Sequence, residues 1–152
     1  MLTSDIERLL NEAKAARKKA FAPYSKFTVG AALITNGGKI YHGCNIENPS
    51  LMLSFCAERA ALINALVEGE KKFKALAIVS GDKDYCFPCG SCRQMLAEFA
   101  PGIEIYLASG TGIKKFFISE LLPHQFKKSW KAQLRGQGKQ EYLQEKTQRE
   151  KG

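Results

Sequence analysis

The chain has 152 residues, of which 45% are hydrophobic and 25% charged, a composition typical of one globular domain with a hydrophobic core. No apolar run approaches the roughly 20 residues of a membrane span, and the N-terminus lacks the apolar region of a signal peptide, so we expect a cytoplasmic protein. Five cysteines, an odd number, favour reduced thiols, metal ligands or a nucleophile over a disulfide framework.

The formal net charge of +8 is unevenly distributed. Residues 1–126 carry 15 basic and 12 acidic side chains, a net of +3, and residues 127–152 carry 8 basic and 3 acidic ones, a net of +5. The tail is rich in Gln and Lys and poor in large apolar residues, which predicts a flexible, solubilising extension. Nucleic-acid binding by the tail is the less favoured alternative, because only Trp130 and Tyr142 could stack on bases.

The first part of the chain predicts a helix followed by a β-hairpin. Ser4 and Glu7 have the spacing of a capping box, and apolar residues then recur at helical intervals. Residues 27–35 form an apolar run that indicates a buried strand. An Asn-Gly-Gly turn separates it from residues 39–44, which we predict to be its antiparallel partner.

The following part predicts strands that alternate with helices. A polar loop over 45–54 precedes an Ala- and Leu-rich helix over 55–67, and an apolar strand follows at 73–80. A second helix begins at about Cys89 and leads to a strand at 103–108. Because this alternation requires crossover connections, we expect the later strands to be parallel, in a mixed sheet enclosed by helices.

Three cysteines fall at the predicted starts of two helices. Cys89 and Cys92 form a C-G-S-C motif, and Cys56 begins a C-A-E-R motif 33 residues upstream. The positive end of a helix lowers the pKa of a thiol towards the thiolate that binds metal, and Cys89 and Cys92 share one helix face. Three thiolates bind Zn²⁺ and leave one position open, as in a catalytic zinc site.

A fourth protein ligand would make the site structural instead. His42 and His124 are more often ordinary packed or surface residues at such places, and Cys44 is a further candidate. Cys86 is the strongest one, because it extends C-G-S-C to C-x2-C-x2-C. An iron–sulfur cluster is disfavoured, since that run needs another Cys where Leu96 stands. A structural zinc that includes Cys86 stays open, although it gives no role to C-A-E-R.

Glu58 and Arg59 favour an enzyme. Glu58 follows Cys56 by two residues in the first helical turn, where its carboxylate could reach a metal-activated water and transfer protons. Arg59 is three residues after Cys56, on the same helix face, and could donate hydrogen bonds to the thiolate sulfurs. An isolated Glu at this position would only offset the helix dipole, and an isolated Arg would be a surface residue.

These motifs resemble the signature of zinc nucleobase deaminases, and more narrowly the short, tetrameric form of cytidine deaminase. The resemblance covers about residues 5–126. It implies a three-layer α/β/α fold with a mixed five-stranded sheet, and a catalytic domain over residues 1–126. It is carried by five segments in the family's order: YSKFTVGAAL (24–33), GCNIEN (43–48), CAERAAL (56–62), PCGSCRQ (88–94) and LLPHQF (121–126).

The resemblance also implies roles for individual residues. Cys56, Cys89 and Cys92 would ligate one zinc ion per subunit, and Glu58 would transfer protons in the hydrolytic deamination of cytidine and 2′-deoxycytidine, a pyrimidine salvage reaction. The residues implied to bind the nucleoside are Phe27 against the pyrimidine ring, Asn45 and Glu47 on the ribose 3′-hydroxyl, Ala57, and Phe126 from a neighbouring subunit of a homotetramer.

The chain departs from the family pattern at two places near the expected pocket. Leu51 stands where a tyrosine is often found, and Phe87 where a small residue is common. These differences leave the outer contour of the pocket and the substrate range open. One alternative is the same chemistry on N4-modified or other aminopyrimidine nucleosides or on a polynucleotide. An alternative of another class is a non-catalytic structural zinc module with four thiolates.

Overall fold

The computed structural model describes residues 1–127 together with Gln144, Thr147 and Gln148. The predicted tail, residues 127–152 with Trp130 and Tyr142, lies almost entirely outside the described residues. Within the described part of the chain, no helix has the length and apolar character needed to cross a membrane.

The elements of residues 1–127 follow the predicted order, and most predicted bounds agree within about two residues. Residues 51–53 form one turn of 3-10 helix in the predicted polar loop. In chain order the elements are α1 (Thr3–Arg17), β1 (Val29–Thr35), β2 (Ile40–Cys44), α2 (Ala57–Val67), β3 (Phe73–Ser80), α3 (Gly90–Phe99), β4 (Glu104–Ser109), β5 (Gly112–Phe117) and α4 (Ile118–Leu121).

The five strands form one mixed sheet in the order β2-β1-β3-β4-β5. Strands β3 and β4 are parallel, as expected for strands joined through α3, and the other neighbouring pairs are antiparallel. The fifth strand, β5, has no clear pattern in the sequence because it is a mostly exposed edge strand with lysines at its centre. The five strands and their mixed pairing confirm the mixed five-stranded sheet that the resemblance implied.

Helices cover both faces of the sheet, which confirms the three-layer α/β/α fold. On one face, α1 packs Leu9 and Leu10 against Ala77 of β3 and its neighbours. On the other face, α2 and α3 bury Leu62 and Leu96 against the large apolar side chains of β3 and β4. Each face therefore has its own apolar core, with the sheet as the shared wall.

Two glycines allow helices to lie directly on the sheet. A Cβ atom at Gly30 of β1 would come within 2.1 Å of the Ala13 carbonyl oxygen of α1. A Cβ at Gly43 of β2 would come equally close, 2.1 Å, to the Ala57 carbonyl oxygen of α2. Because the first turn of α2 sits so close to β2, the residues at the start of α2 lie beside the end of that strand.

The predicted capping box at the start of α1 is wrong. The helix begins at Thr3 with Leu2 as the N-cap residue, and no side chain caps it. Ser4 is therefore already inside the first turn, where its hydroxyl is no longer placed to accept from the free N–H groups in the way a capping residue does. The burial of the apolar face of α1, which includes Leu9, Leu10 and Ala13, stabilises this helix without a side-chain cap.

Candidate active site

Three thiols converge where the N-termini of α2 and α3 meet. Cys56 and Cys89 are the N-cap residues of these helices, and Cys92 lies in the first turn of α3. The sulfurs of Cys56 and Cys89 are 3.7 Å apart and those of Cys89 and Cys92 are 3.5 Å apart. Two sulfurs bound at about 2.3 Å to one tetrahedral zinc ion would be separated by about 3.8 Å. The donor set therefore fits a single zinc ion.

The surroundings of this cluster favour the thiolate form of Cys56. A hydrogen bond from the Cys92 thiol lowers the pKa of Cys56 to about 5, and Arg59 contributes in the same direction. The same hydrogen bond and burial raise the pKa of Cys92. Arg59 donates from one terminal nitrogen to the Cys56 sulfur (3.7 Å) and to the Ser54 carbonyl oxygen (3.1 Å). The structure thus places Arg59 where the sequence predicted it.

The competing ligands do not join the cluster. Among the described residues, the sulfurs of Cys56, Cys89 and Cys92 form the one group of three or more potential His, Cys, Asp or Glu ligand atoms that lie within 4.8 Å of one another. His42 is instead paired with Glu12 of α1 at 2.7 Å. With three sulfurs and no fourth potential ligand from the described part of the chain at this distance, the geometry leaves one coordination position for a water or a substrate, as in catalytic zinc sites.

Cys86 lies near the cluster without being part of it. Its side chain lines the same cavity as Cys56 and Cys89. Burial and the negative charges of Glu58 and Cys56 raise the pKa of the Cys86 thiol to about 12. The Cys86 sulfur is not a member of the three-sulfur group, which disfavours the closed four-thiolate site that its spacing allowed.

Glu58 is a buried carboxyl beside the thiols. It is only 4% exposed, and it faces the cavity from the first turn of α2. Burial, with a smaller contribution from the negative charge of Cys56, raises the pKa of Glu58 to about 7. A carboxyl group with a pKa in this range can both accept and donate a proton at neutral pH.

A cavity of about 280 Å³ opens above Glu58 and the thiols. The structure does not bring every predicted site residue to it. Cys92 is fully buried, Phe126 is exposed, and neither of them nor Arg59 is part of the cavity lining. The predicted site residues that line the cavity are Phe27, Asn45, Glu47, Cys56, Ala57, Glu58 and Cys89.

Sequence reasoning missed part of the cavity wall. Ser25, Ser54 and Phe55 line it as well, and none of them was singled out from the sequence. Ser25 stands two residues before Phe27 in the segment 24–33, which resembles the family pattern, and this position is the signal in the sequence that indicates a place in the cavity wall. Of the two departures from the family pattern, Phe87 lines the cavity and is 43% exposed, whereas Leu51 is 75% exposed and outside the lining.

Asn45 holds the segment that carries Phe27. Its amide nitrogen donates to the Phe27 carbonyl oxygen (2.7 Å), and its amide oxygen accepts from the Val29 N–H (2.8 Å). Within the same segment, Lys26 has a φ of 59°, a left-handed conformation uncommon for a residue with a side chain. The Asn45 side chain therefore fixes the backbone on both sides of residue 28 and leaves its remaining donor and acceptor capacity for a ligand.

The chain is similar to proteins known as cytidine deaminases. The profile described as "Cytidine and deoxycytidylate deaminase zinc-binding region" matches residues 3–108. A cytidine deaminase of Sporosarcina psychrophila is 48% identical over 82% of this chain and 93% of its own length, and one of Halalkalibacterium halodurans is 45% identical over 80% and 94%. The crystal structure of cytidine deaminase from Burkholderia pseudomallei has a TM-score of 0.77 at 45% identity, covering 83% of this chain and all of that one.

Proposed function

The chain belongs to the cytidine and deoxycytidylate deaminase family, and we propose that it catalyses the hydrolytic deamination of cytidine and 2′-deoxycytidine to uridine and 2′-deoxyuridine, with release of ammonia. The observation that carries this proposal is the three-thiol donor set beside a buried glutamate at the base of a nucleoside-sized cavity. The cofactor is zinc, held by Cys56, Cys89 and Cys92, and when bound it supplies the Lewis acidity that makes water a nucleophile near neutral pH.

Glu58 moves the protons of the reaction. Its buried carboxyl, with a pKa near 7, takes a proton from the attacking water and delivers it to the ring nitrogen N3, which makes C4 more electrophilic. Glu58 then takes the remaining proton of the former water from the hydroxyl on C4 and passes it to the 4-amino group, which leaves as ammonia as the C4–N bond breaks and the C4 carbonyl forms. One carboxyl that alternates between base and acid therefore accounts for every proton that must move.

The other cavity residues orient the nucleoside. Phe27 packs against the pyrimidine ring, Ala57 forms the wall beside Glu58, and Asn45 and Glu47 bind the ribose 3′-hydroxyl. Hydrogen bonds from Ser25 keep the pKa of Glu47 below its ordinary value, so the group is a carboxylate at neutral pH. A carboxylate at this place repels a phosphate on the 3′-oxygen, which favours a free 3′-hydroxyl, and therefore a nucleoside over a polynucleotide.

The active form is proposed to be a homotetramer in which Phe126 completes the site of a neighbouring subunit. Phe126 is 72% exposed and does not line its own subunit's cavity. Leu51, Met52, Leu53 and Phe55, next to the cavity, also expose large apolar side chains. Apolar surface of this kind is usually covered by a partner, and symmetric self-association is the common solution. Residues 1–126 are the proposed catalytic domain, working in cytoplasmic pyrimidine salvage.

The test combines metal content with a direct assay. Purified protein is expected to contain one zinc ion per subunit and to convert cytidine and 2′-deoxycytidine to their uridine products, followed by ultraviolet absorbance. Cytidine 5′- and 3′-monophosphates and N4-methylcytidine complete the substrate panel, and the 3′-monophosphate should be the poorest of these because its phosphate meets Glu47. Zinc-loaded protein that releases no uridine from millimolar cytidine would falsify the proposal.

A further inference from the structure

The side chain of Gln94 pairs with the backbone of Phe126. Its amide nitrogen donates to the Phe126 carbonyl oxygen (2.9 Å), and its amide oxygen accepts from the Phe126 N–H (3.1 Å). One side chain thus satisfies both polar groups of one residue, in the manner of a strand pairing. Two bonds in this arrangement fix the direction of the backbone as well as its position, and so also the direction in which the ring leaves it.

A neighbouring residue of α3 anchors the beginning of the same segment. Arg93 donates to the carbonyl oxygen of Leu121, the last residue of α4 (3.1 Å), and to the carbonyl oxygen of Pro88, the residue before Cys89 (2.7 Å). Segment 121–126 is therefore attached at both ends to the helix whose N-cap residue belongs to the thiol cluster. The place of Phe126 is tied to the frame of the active site.

The anchored residue nevertheless leaves its side chain in solvent. Phe126 as a whole is 72% exposed. Segments near the end of a domain are normally poorly ordered. Two hydrogen bonds from Gln94 that hold the backbone of an exposed phenylalanine therefore need an explanation. The rim of the cavity offers one, since Phe55 and Phe87 expose 44% and 43% of their surface there and could pack against an incoming ring.

We propose that Gln94 is a positioning residue that directs the Phe126 ring into the substrate cavity of a second copy of this chain. This inference rests on the proposed function, in which Phe126 completes a neighbouring subunit's site. Without the anchor the ring would have to be ordered at every binding event, and this cost would appear as weaker substrate binding. Chemistry at C4 would be affected less, because the two hydrogen bonds of the Gln94 side chain go to the Phe126 backbone and involve neither the thiols nor Glu58.

The test is a double-mutant cycle on KM. Gln94→Met keeps the length of the side chain and removes both hydrogen bonds, and we expect KM for cytidine to rise about tenfold, with a smaller change in kcat. In a Phe126→Ala background the same substitution should change KM less than twofold, because the ring it positions is gone. Asn11→Met on α1, which removes an exposed amide far from this segment, is the matched control and should leave both constants unchanged.

Two outcomes would overturn the inference: an unchanged KM in Gln94→Met, or the same rise in KM with and without the Phe126 ring. If Gln94→Met does not fold, Gln94→Glu provides the same cycle, since it keeps the acceptor for the Phe126 N–H and loses the donor to its carbonyl oxygen. Wild-type protein without activity on cytidine would mean that the proposed function itself had failed.

Mixed oligomers test whether Gln94 acts between subunits. Gln94→Met subunits are refolded together with Glu58→Gln subunits, which lack the proton carrier and keep an intact anchor. If the ring acts in trans, the KM measured in the mixture should fall towards the wild-type value, because some active sites now receive a correctly placed ring. A KM equal to that of Gln94→Met alone would contradict the inference.

Discussion

Ser25 holds the carboxylate of Glu47 through both its backbone N–H (3.2 Å) and its hydroxyl. The same hydroxyl accepts a hydrogen bond from the N–H of Phe27 (3.0 Å). A single small side chain therefore connects the proposed ribose-binding residue with the proposed base-packing residue. Since the Glu47 carboxylate also accepts from the Tyr24 N–H (3.0 Å), the whole 24–27 segment is organised around it.

Replacing Ser25 is expected to weaken substrate binding more than catalysis. Ser25→Ala removes the bond from the hydroxyl to Glu47 and the acceptor for the Phe27 N–H, so we expect KM for cytidine to rise about 3- to 30-fold, with kcat within about threefold of wild type. Steady-state kinetics measure both constants. Ser4→Ala, at an exposed position of α1, is the control. A fall in kcat at unchanged KM would show that Ser25 does not act on substrate binding.

Glu58→Gln is expected to abolish turnover without loss of metal. Gln has nearly the same size and cannot carry the proton, so kcat should fall by at least about 10³-fold, near the upper range for general acid–base catalysis. The three sulfurs are untouched, and zinc content should stay at one per subunit. Glu68→Gln, just after the last residue of the same helix and exposed, should retain full activity. Substantial activity in Glu58→Gln would favour the structural zinc module instead.

Cys92 and Cys86 are expected to differ in zinc binding, because only Cys92 belongs to the three-sulfur group. Cys92→Ser removes a member of the three-sulfur group and should lose most of the bound zinc and all activity. Cys86→Ser should keep stoichiometric zinc, because the Cys86 sulfur is not a member of that group. Zinc content measured by atomic absorption after gel filtration separates the two cases. Loss of zinc from Cys86→Ser would make Cys86 a ligand and reopen the four-thiolate alternative.

Arg59 is expected to tune the metal site without holding it. Arg59→Gln removes the positive charge beside Cys56, and with it the hydrogen bond to the sulfur. The sulfur then carries more negative charge, which makes bound zinc a weaker Lewis acid, and we expect kcat to fall about 10- to 100-fold while zinc is retained. Arg59→Lys should recover part of this loss because it restores the charge. Equal losses in both variants would contradict an electrostatic role and point to the packing of Arg59 on Phe55.

The sequence by itself determined the elements and the chemistry. Apolar periodicity predicted the helices and the buried strands, because burial on one face or both leaves a pattern in the chain. A metal site with a proton carrier was predicted from residue types at the starts of two helices, namely Cys56, Glu58, Cys89 and Cys92. These groups act through their own chemistry and lie within short motifs, so local sequence was sufficient.

Only the tertiary structure decided which distant residues share the site. Cys86 has ideal spacing along the chain, yet its sulfur stays outside the cluster, because the fold and not the spacing determines which side chains converge. Ser25 is hydrogen-bonded to Glu47, which lies 22 positions further along the chain, and Gln94 to Phe126, which lies 32 positions further. Hydrogen bonds between such distant residues leave no periodic pattern in the sequence. The edge strand β5 escaped prediction for a related reason: it gains its stability from pairing with β4 and buries little of its own surface.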